Sequence, residues 1–214
     1  MRFYNRGGEL DGRTFERSYG TEAAMVLSAV DCALNGRKAA YGSSELTTGR
    51  RFWDLAFEHR VSTTDELRRA LGGEAFDRLL FSPNVEAANE FARTLEAELG
   101  RLVITPAPFV APDWSQPEYL AFWETLIRTR IEVAHFNRGW NYSNGCTFEL
   151  AVAVDAGLPT FDADGELPLS RGISEVRTAV AEIEAAGLEP GGLREGLERL
   201  EKLRAAAEAA AIAR

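Results

Sequence analysis

Gly139-Trp140-Asn141-Tyr142-Ser143-Asn144-Gly145-Cys146-Thr147-Phe148-Glu149 is the stretch on which a reading of this chain turns. It follows a mostly apolar run, Ile131 to Phe136, that has the composition of a buried strand. It precedes Leu150 to Gly157, small and apolar residues that read as a short helix stopped by glycine. A strand, a polar glycine-bearing turn and a helix in that order is where open α/β sheets hold ligands. Such a turn has backbone N–H groups and a positive helix end, both suited to an anion. Glu149 then falls in the first turns of the helix, beside the same mouth.

Working outward, Arg78-Leu79-Leu80-Phe81 reads as another short strand, with Ser82-Pro83-Asn84 capping the helix behind it. Val85, Ala88, Phe91, Ala92, Leu95 and Leu99 keep one helical face, Gly100 ends it, and Leu102 to Ile104 is the next strand. Strands joined by a helix pair in parallel. Pro108 to Pro117 is a proline-rich connection into a helix from Glu118 to Arg130, its inner face Leu120, Trp123 and Ile127. Leu158 to Phe161 reads as the strand after the central helix. Before residue 76 the pattern predicts a helix from Thr21 to about Asn35, a strand over Lys38 to Tyr41 and a polar loop over residues 42–49. Helices follow over Arg51–His59 and Thr64–Leu71, the latter started by Ser62-Thr63-Thr64 with Glu66 behind. Arg2-Phe3-Tyr4 is a candidate edge strand. Beyond residue 165, two helices, about Ser174–Ala186 and Leu193–Ala211, flank Pro190-Gly191-Gly192; Leu193, Leu197 and Leu200 repeat at coiled-coil-like spacing.

The chain has 214 residues, 45% of them hydrophobic and 27% charged, an ordinary globular composition for one large domain or one domain with an extension. A formal net charge of -9 argues against a dedicated nucleic-acid surface. No apolar run approaches the roughly 20 residues that span a bilayer. Met1 to Gly8 is polar, unlike a signal peptide, and two cysteines make no disulfide framework. The expectation is a cytoplasmic protein that binds neither nucleic acid nor membrane. Two His and two Cys scattered along the chain suggest no metal site, and no cofactor is expected.

Val133 to Glu149, followed by Ala153-Val154-Asp155-Ala156-Gly157-Leu158-Pro159, resembles the nucleoside 2-deoxyribosyltransferase family and its hydrolytic relatives, the nucleoside monophosphate N-glycosidases. Gly139, Trp140, Ser143, Gly145, Glu149, Gly157 and Pro159 stand in the places of that family's motif, with the Glu six residues after the Ser. The resemblance covers residues 76–165. It implies that Glu149 is the nucleophile at the anomeric carbon and that Ser143 binds the sugar 5′ end or a 5′-phosphate. Glu124 stands where the family usually carries an Asp that holds sugar hydroxyls or protonates the leaving base. Phe81-Ser82-Pro83-Asn84 fills the place of the family's first-strand loop without its nearby Tyr, for which Tyr4, Tyr41 and Tyr119 are the alternatives. The resemblance also implies a homodimer or larger assembly, and the Leu193–Leu200 stripe points the same way.

Together these readings predict an α/β fold: a doubly wound, flavodoxin- or Rossmann-like, mostly parallel sheet flanked by helices. Residues 1–75 form an N-terminal α/β extension, 76–165 the core and 166–214 C-terminal helices. The chemistry fits the residues. Cleaving an N-glycosidic bond develops oxocarbenium character that one carboxylate captures while a second group serves the leaving base. The paired carboxylates, Glu149 and Glu124, are then expected about 5 to 9 Å apart. Trp140, Tyr142 and Phe148 are candidates for stacking on a base, and Ser143, Asn144, Gly145 and Asn84 for hydrogen bonds to the substrate. Each has a structural reading too. Glu149 suits a helix first turn, Glu124 an i,i+4 pair with Arg128, and Ser143, Asn144 and Asn84 helix caps. His135 reads as a hydrogen-bonded core histidine, Cys146 as a thiol beside a helix start, and the 42–49 loop as a lid or a solvated turn. Arg128, Arg130 and Arg138 are alternatives for meeting a phosphate. Two functions are carried forward: cleavage or transfer at the N-glycosidic bond of a nucleoside or nucleoside 5′-monophosphate, or a non-catalytic nucleotide-sensing module on the same fold.

Overall fold

Five buried residues, Ala39-Ala40-Tyr41-Gly42-Ser43, form the strand that organises the sheet in the computed structural model, which describes residues 19–111 and 113–212. This strand, β1, lies between β2 (Val103–Ile104) and β3 (Ile131–Phe136), parallel to both. Tyr41 is opposite Ile104 on one side and Ala134 on the other. β4 (Thr160–Asp162) runs parallel to β3, and β5 (Gly165–Glu166) folds back antiparallel on β4. The order across the sheet is β2-β1-β3-β4-β5. Side chains alternate between the faces of a strand. Accordingly Ala39 and Tyr41 join the larger buried cluster, while Ala40 joins a smaller one with Val103, Ala92 and Leu95. Gly42 keeps this approach close: a Cβ there would lie 3.1 Å from Val103 Cγ1, tighter than an ordinary van der Waals contact.

The helices are α1 (Tyr19–Leu34), α2 (Arg50–His59), α3 (Thr64–Leu71), α4 (Gly73–Phe76), α5 (Ser82–Leu99), α6 (Gln116–Arg130), α7 (Asn144–Asp155), α8 (Leu169–Ala185) and α9 (Gly191–Ile212). Local chemistry starts and stops several of them. Thr63 and Glu66 form a capping box at α3, Ser115 and Glu118 another at α6, and Gly100 ends α5 in the left-handed conformation. α5 supplies Ala92 and Leu95 to the smaller cluster, and α6 supplies Phe122, Trp123, Leu126 and Ile127 to the larger.

Three expectations are corrected. Asp77–Phe81 is a π-helical segment running directly into α5, so Arg78–Phe81 is no strand and Ser82-Pro83-Asn84 lies inside a continuous helical run. A four-residue apolar run satisfies either element, and here only Leu80 is fully buried while Leu79 is 39% exposed. The core's first strand is instead β1, within residues 1–75, so the sheet crosses the expected boundary at residue 76. Leu193, Leu197 and Leu200 are buried in their own chain, where α9 packs on α7 and α8, and do not form a free stripe for a second subunit. The Arg2-Phe3-Tyr4 strand lies outside the described residues.

Candidate active site

Ser43 ends β1 and the chain after Phe136 ends β3, so both open at the carboxyl edge of the sheet. From β3 the chain passes Gly139, in the left-handed conformation at φ 82, and a 3-10 turn over Trp140–Tyr142. Ser143 then caps α7, its hydroxyl accepting from the Cys146 N–H at 3.3 Å. Because α7 begins at Asn144, six residues before the expected start, Glu149 lies in the second turn and faces the sheet.

There Glu149 meets the face of β1 that carries residues 39, 41 and 43. Tyr41 Oη donates to Glu149 Oε1 at 2.8 Å and Ser43 Oγ donates to Oε2 at 2.6 Å. Glu149 is 6% exposed, and Tyr41 and Ser43 are fully buried. Burial disfavours the charged carboxylate and pushes its pKa up to about 7, against the pull of the Ser43 and Tyr41 hydroxyls. Burial and the neighbouring Glu149 together raise the Tyr41 phenol well above its ordinary value. The same two causes raise the Cys146 thiol, so the helix start does not activate it as a thiolate. A carboxylate poised near neutrality between two fixed donors is suited to act as a nucleophile or a general base.

The loop after β1 covers this centre. Thr48 Oγ1 lies 3.5 Å from Ser143 Oγ and accepts from the Asn144 N–H at 3.1 Å. Asn84 Nδ2 donates to the Leu46 carbonyl at 2.9 Å, and Glu45 Oε2 accepts from the Arg50 N–H at 2.8 Å. Trp53 Nε1 reaches the Tyr142 carbonyl at 3.0 Å, tying α2 to the turn. The Ser44 hydroxyl, at the first position of the loop, is buried without a hydrogen-bond partner.

The expected site residues divide. Ser143, Asn144, Gly145 and Glu149 share the start of α7 with the loop over it. Asn84 is buried and neither caps a helix nor meets Glu149; it anchors the loop. Trp140 is 2% exposed and packs 5.6 Å from Phe136, inside the core rather than on a base-stacking surface. Tyr142 donates to Glu182, and the Arg50 guanidinium lies 4.9 Å over its ring. Phe148 carries Arg199 at 4.6 Å. Glu124 keeps different company: its carboxylate pairs with Arg128 at 2.9 Å and Arg199 at 3.6 Å, and Arg128 also holds Asp155. His135 stacks on Phe161 with centroids 5.3 Å apart, but its Nε2 has no hydrogen-bond partner, against the expectation of a bonded core histidine. Burial lowers its pKa.

Of the three tyrosines left open, Tyr41 takes the place beside Glu149. Tyr119 instead bonds the backbone of Ala111, and Tyr4 lies outside the described residues. Ser43, Glu45 and Thr48 were hidden in a loop read only as lid or turn. The signal available was a strand ending in Tyr-Gly-Ser-Ser, small residues that admit a neighbouring helix. Among the described residues no cluster of three or more His, Cys, Asp or Glu could hold a metal ion, and no helix is long and apolar enough to cross a membrane. No known family, curated protein or solved structure matches this chain.

Proposed function

We propose that this chain cleaves or transfers at the N-glycosidic bond of a nucleoside or nucleoside 5′-monophosphate, with Glu149 as the nucleophile. The observation that carries this reading is the buried Glu149 carboxylate, held by Tyr41 and Ser43 and poised near neutrality at the carboxyl edge of the sheet. The resemblance in residues 133–159 supports it independently. We read the fold as doubly wound and flavodoxin-like. The chain passes from β1 to the outer β2 and returns beyond β1 to β3, which is the reversal of direction where such sheets hold ligands.

In this mechanism the ionised Glu149 attacks the anomeric carbon as the bond to the base breaks, forming a glycosyl-enzyme. The Tyr41 and Ser43 hydroxyls hold the two carboxylate oxygens in fixed directions, so the nucleophile needs little reorganisation. Water or a second base then releases the sugar. We assign the leaving-group role to no residue; Glu124 already answers two guanidinium groups. A cytoplasmic setting and a homo-oligomer remain part of the proposal from composition and resemblance.

The sensing alternative is favoured by one observation: both oxygens of Glu149 are engaged by hydroxyls of its own chain. Incubation with a panel of nucleosides and 5′-monophosphates, with and without an acceptor base, decides between the two. Free base from the wild-type protein and none from Glu149→Gln is the expected result. Binding of a panel member with no product from either protein would replace catalysis by sensing.

A further inference from the structure

We infer that the Glu149 site takes uncharged nucleosides and discriminates against their 5′-monophosphates, with the Glu45 carboxylate as the discriminating group. The inference rests on the N-glycosidic reading and names its substrate class. The feature at this mouth best suited to a phosphate is the positive end of α7. Two of its first amides are already answered from within the chain: Asn144 N–H by Thr48 Oγ1 at 3.1 Å and Cys146 N–H by Ser143 Oγ at 3.3 Å. An anion seated there has to displace Thr48 and Ser143.

Such an anion also meets a like charge. Glu45 follows Ser43 by two residues, and its carboxylate packs on the turn that leads into α7. A Cβ built on Gly139 would lie 3.3 Å from Glu45 Oε2. Burial and Glu149 raise the pKa of the buried Cys146 thiol, and Glu45 adds to the rise. The two arginines that begin α2 do not reverse the sign. Arg50 is committed to Asp54 at 3.4 Å and Glu182 at 3.3 Å, and it lies over the Tyr142 ring; Arg51 offsets Glu45 only from the exposed side of α2.

Hydrogen-bond capacity points the same way. Phosphate oxygens accept, and Glu45 is also an acceptor, so the two have nothing to exchange. A sugar hydroxyl donates, and Glu45 can receive it while its other oxygen keeps the Arg50 N–H. The buried Ser44 hydroxyl, without a partner between Ser43 and Glu45, is a second group that a sugar hydroxyl satisfies. Specificity built from an unfavourable contact with the wrong ligand is a general device.

The test compares each nucleoside with its own 5′-monophosphate, by base release and by calorimetric binding, in the wild-type chain and in Glu45→Gln. Gln retains an acceptor for the Arg50 N–H, and a thermal melt confirms folding. Wild type is expected to favour the nucleoside at least about tenfold in kcat/KM, and Glu45→Gln to narrow that ratio about tenfold, chiefly through a lower KM for the monophosphate. Narrowing should weaken at high salt. A wild-type preference for monophosphates, or an unchanged ratio in Glu45→Gln, overturns the inference and leaves the glycosidic reading standing. No binding or cleavage of either class by wild type removes both.

Discussion

Glu149 titrates where the reaction can report it. With its carboxyl raised from 4.5 to about 7, the nucleophilic form grows as pH rises through neutrality, so kcat/KM should increase across that range and level off above it. The groups facing it are the Tyr41 and Ser43 hydroxyls from β1 and the Cys146 thiol from its own helix. Tyr41→Phe removes a donor that favours the anion, and its rising limb is expected at higher pH than in wild type. A pH–rate profile measured on both proteins checks this; coincident limbs would show that Tyr41 does not hold the reacting carboxylate. Glu149→Gln should lower turnover by about a thousandfold or more, as loss of a nucleophile does. Activity retained within tenfold would move the chemistry elsewhere.

Between elements, the close approach of α9 to α7 sets the surroundings of Asn144 and Thr147. A Cβ at Gly196 would lie 2.6 Å from Thr147 Cγ2, and one at Gly192 would lie 2.6 Å from Asn144 Nδ2. Gly196→Ala is therefore expected to cost about 1 to 3 kcal/mol by overpacking, read as a lower urea midpoint at unchanged slope. Gly49→Ala acts on the covering loop: φ is 144 and the new Cβ would fall 1.9 Å from Glu45 Oε2. That substitution should release Glu45 and destabilise the chain by a similar amount, about 1 to 3 kcal/mol. Most elements were legible because their ends carry local chemistry. Ser115 with Glu118, Thr63 with Glu66, and Gly100 mark helix ends that need no tertiary partner. The 77–81 segment was not legible, since a short apolar run is equally at home in a strand or a buried helix.

For the whole molecule, the burial of Glu149 sets a slope of stability with pH. Its folded-state pKa is raised, so the folded chain binds the proton more tightly than the unfolded chain does. The resulting contribution, about 3 kcal/mol, is fully present below pH 4.5 and is lost as pH rises to about 7. Glu149→Gln should flatten that part of the curve, measured by denaturation at several pH values; an unchanged slope would mean the carboxyl is not buried as described. The α9 leucines face α7 and α8 rather than a partner, so Leu200→Ala should destabilise the single chain by about 2 to 5 kcal/mol. By itself the sequence determined the helices with capped ends, the strand Ile131–Phe136, and the placing of Glu149 just inside the helix that follows a glycine turn. Those are local matters of periodicity and of which residues satisfy free backbone groups. Only the tertiary structure decided that Ala39–Ser43 lies at the heart of the sheet and that Tyr41 and Ser43 are the hydroxyls on Glu149. It also decided that Glu45 packs on the turn leading into α7, and that Glu124 pairs with Arg128 and Arg199. These follow from strand order and from contacts across about 106 residues of chain, between Ser43 and Glu149. No local pattern encodes such contacts, because the partners meet only after the sheet has assembled.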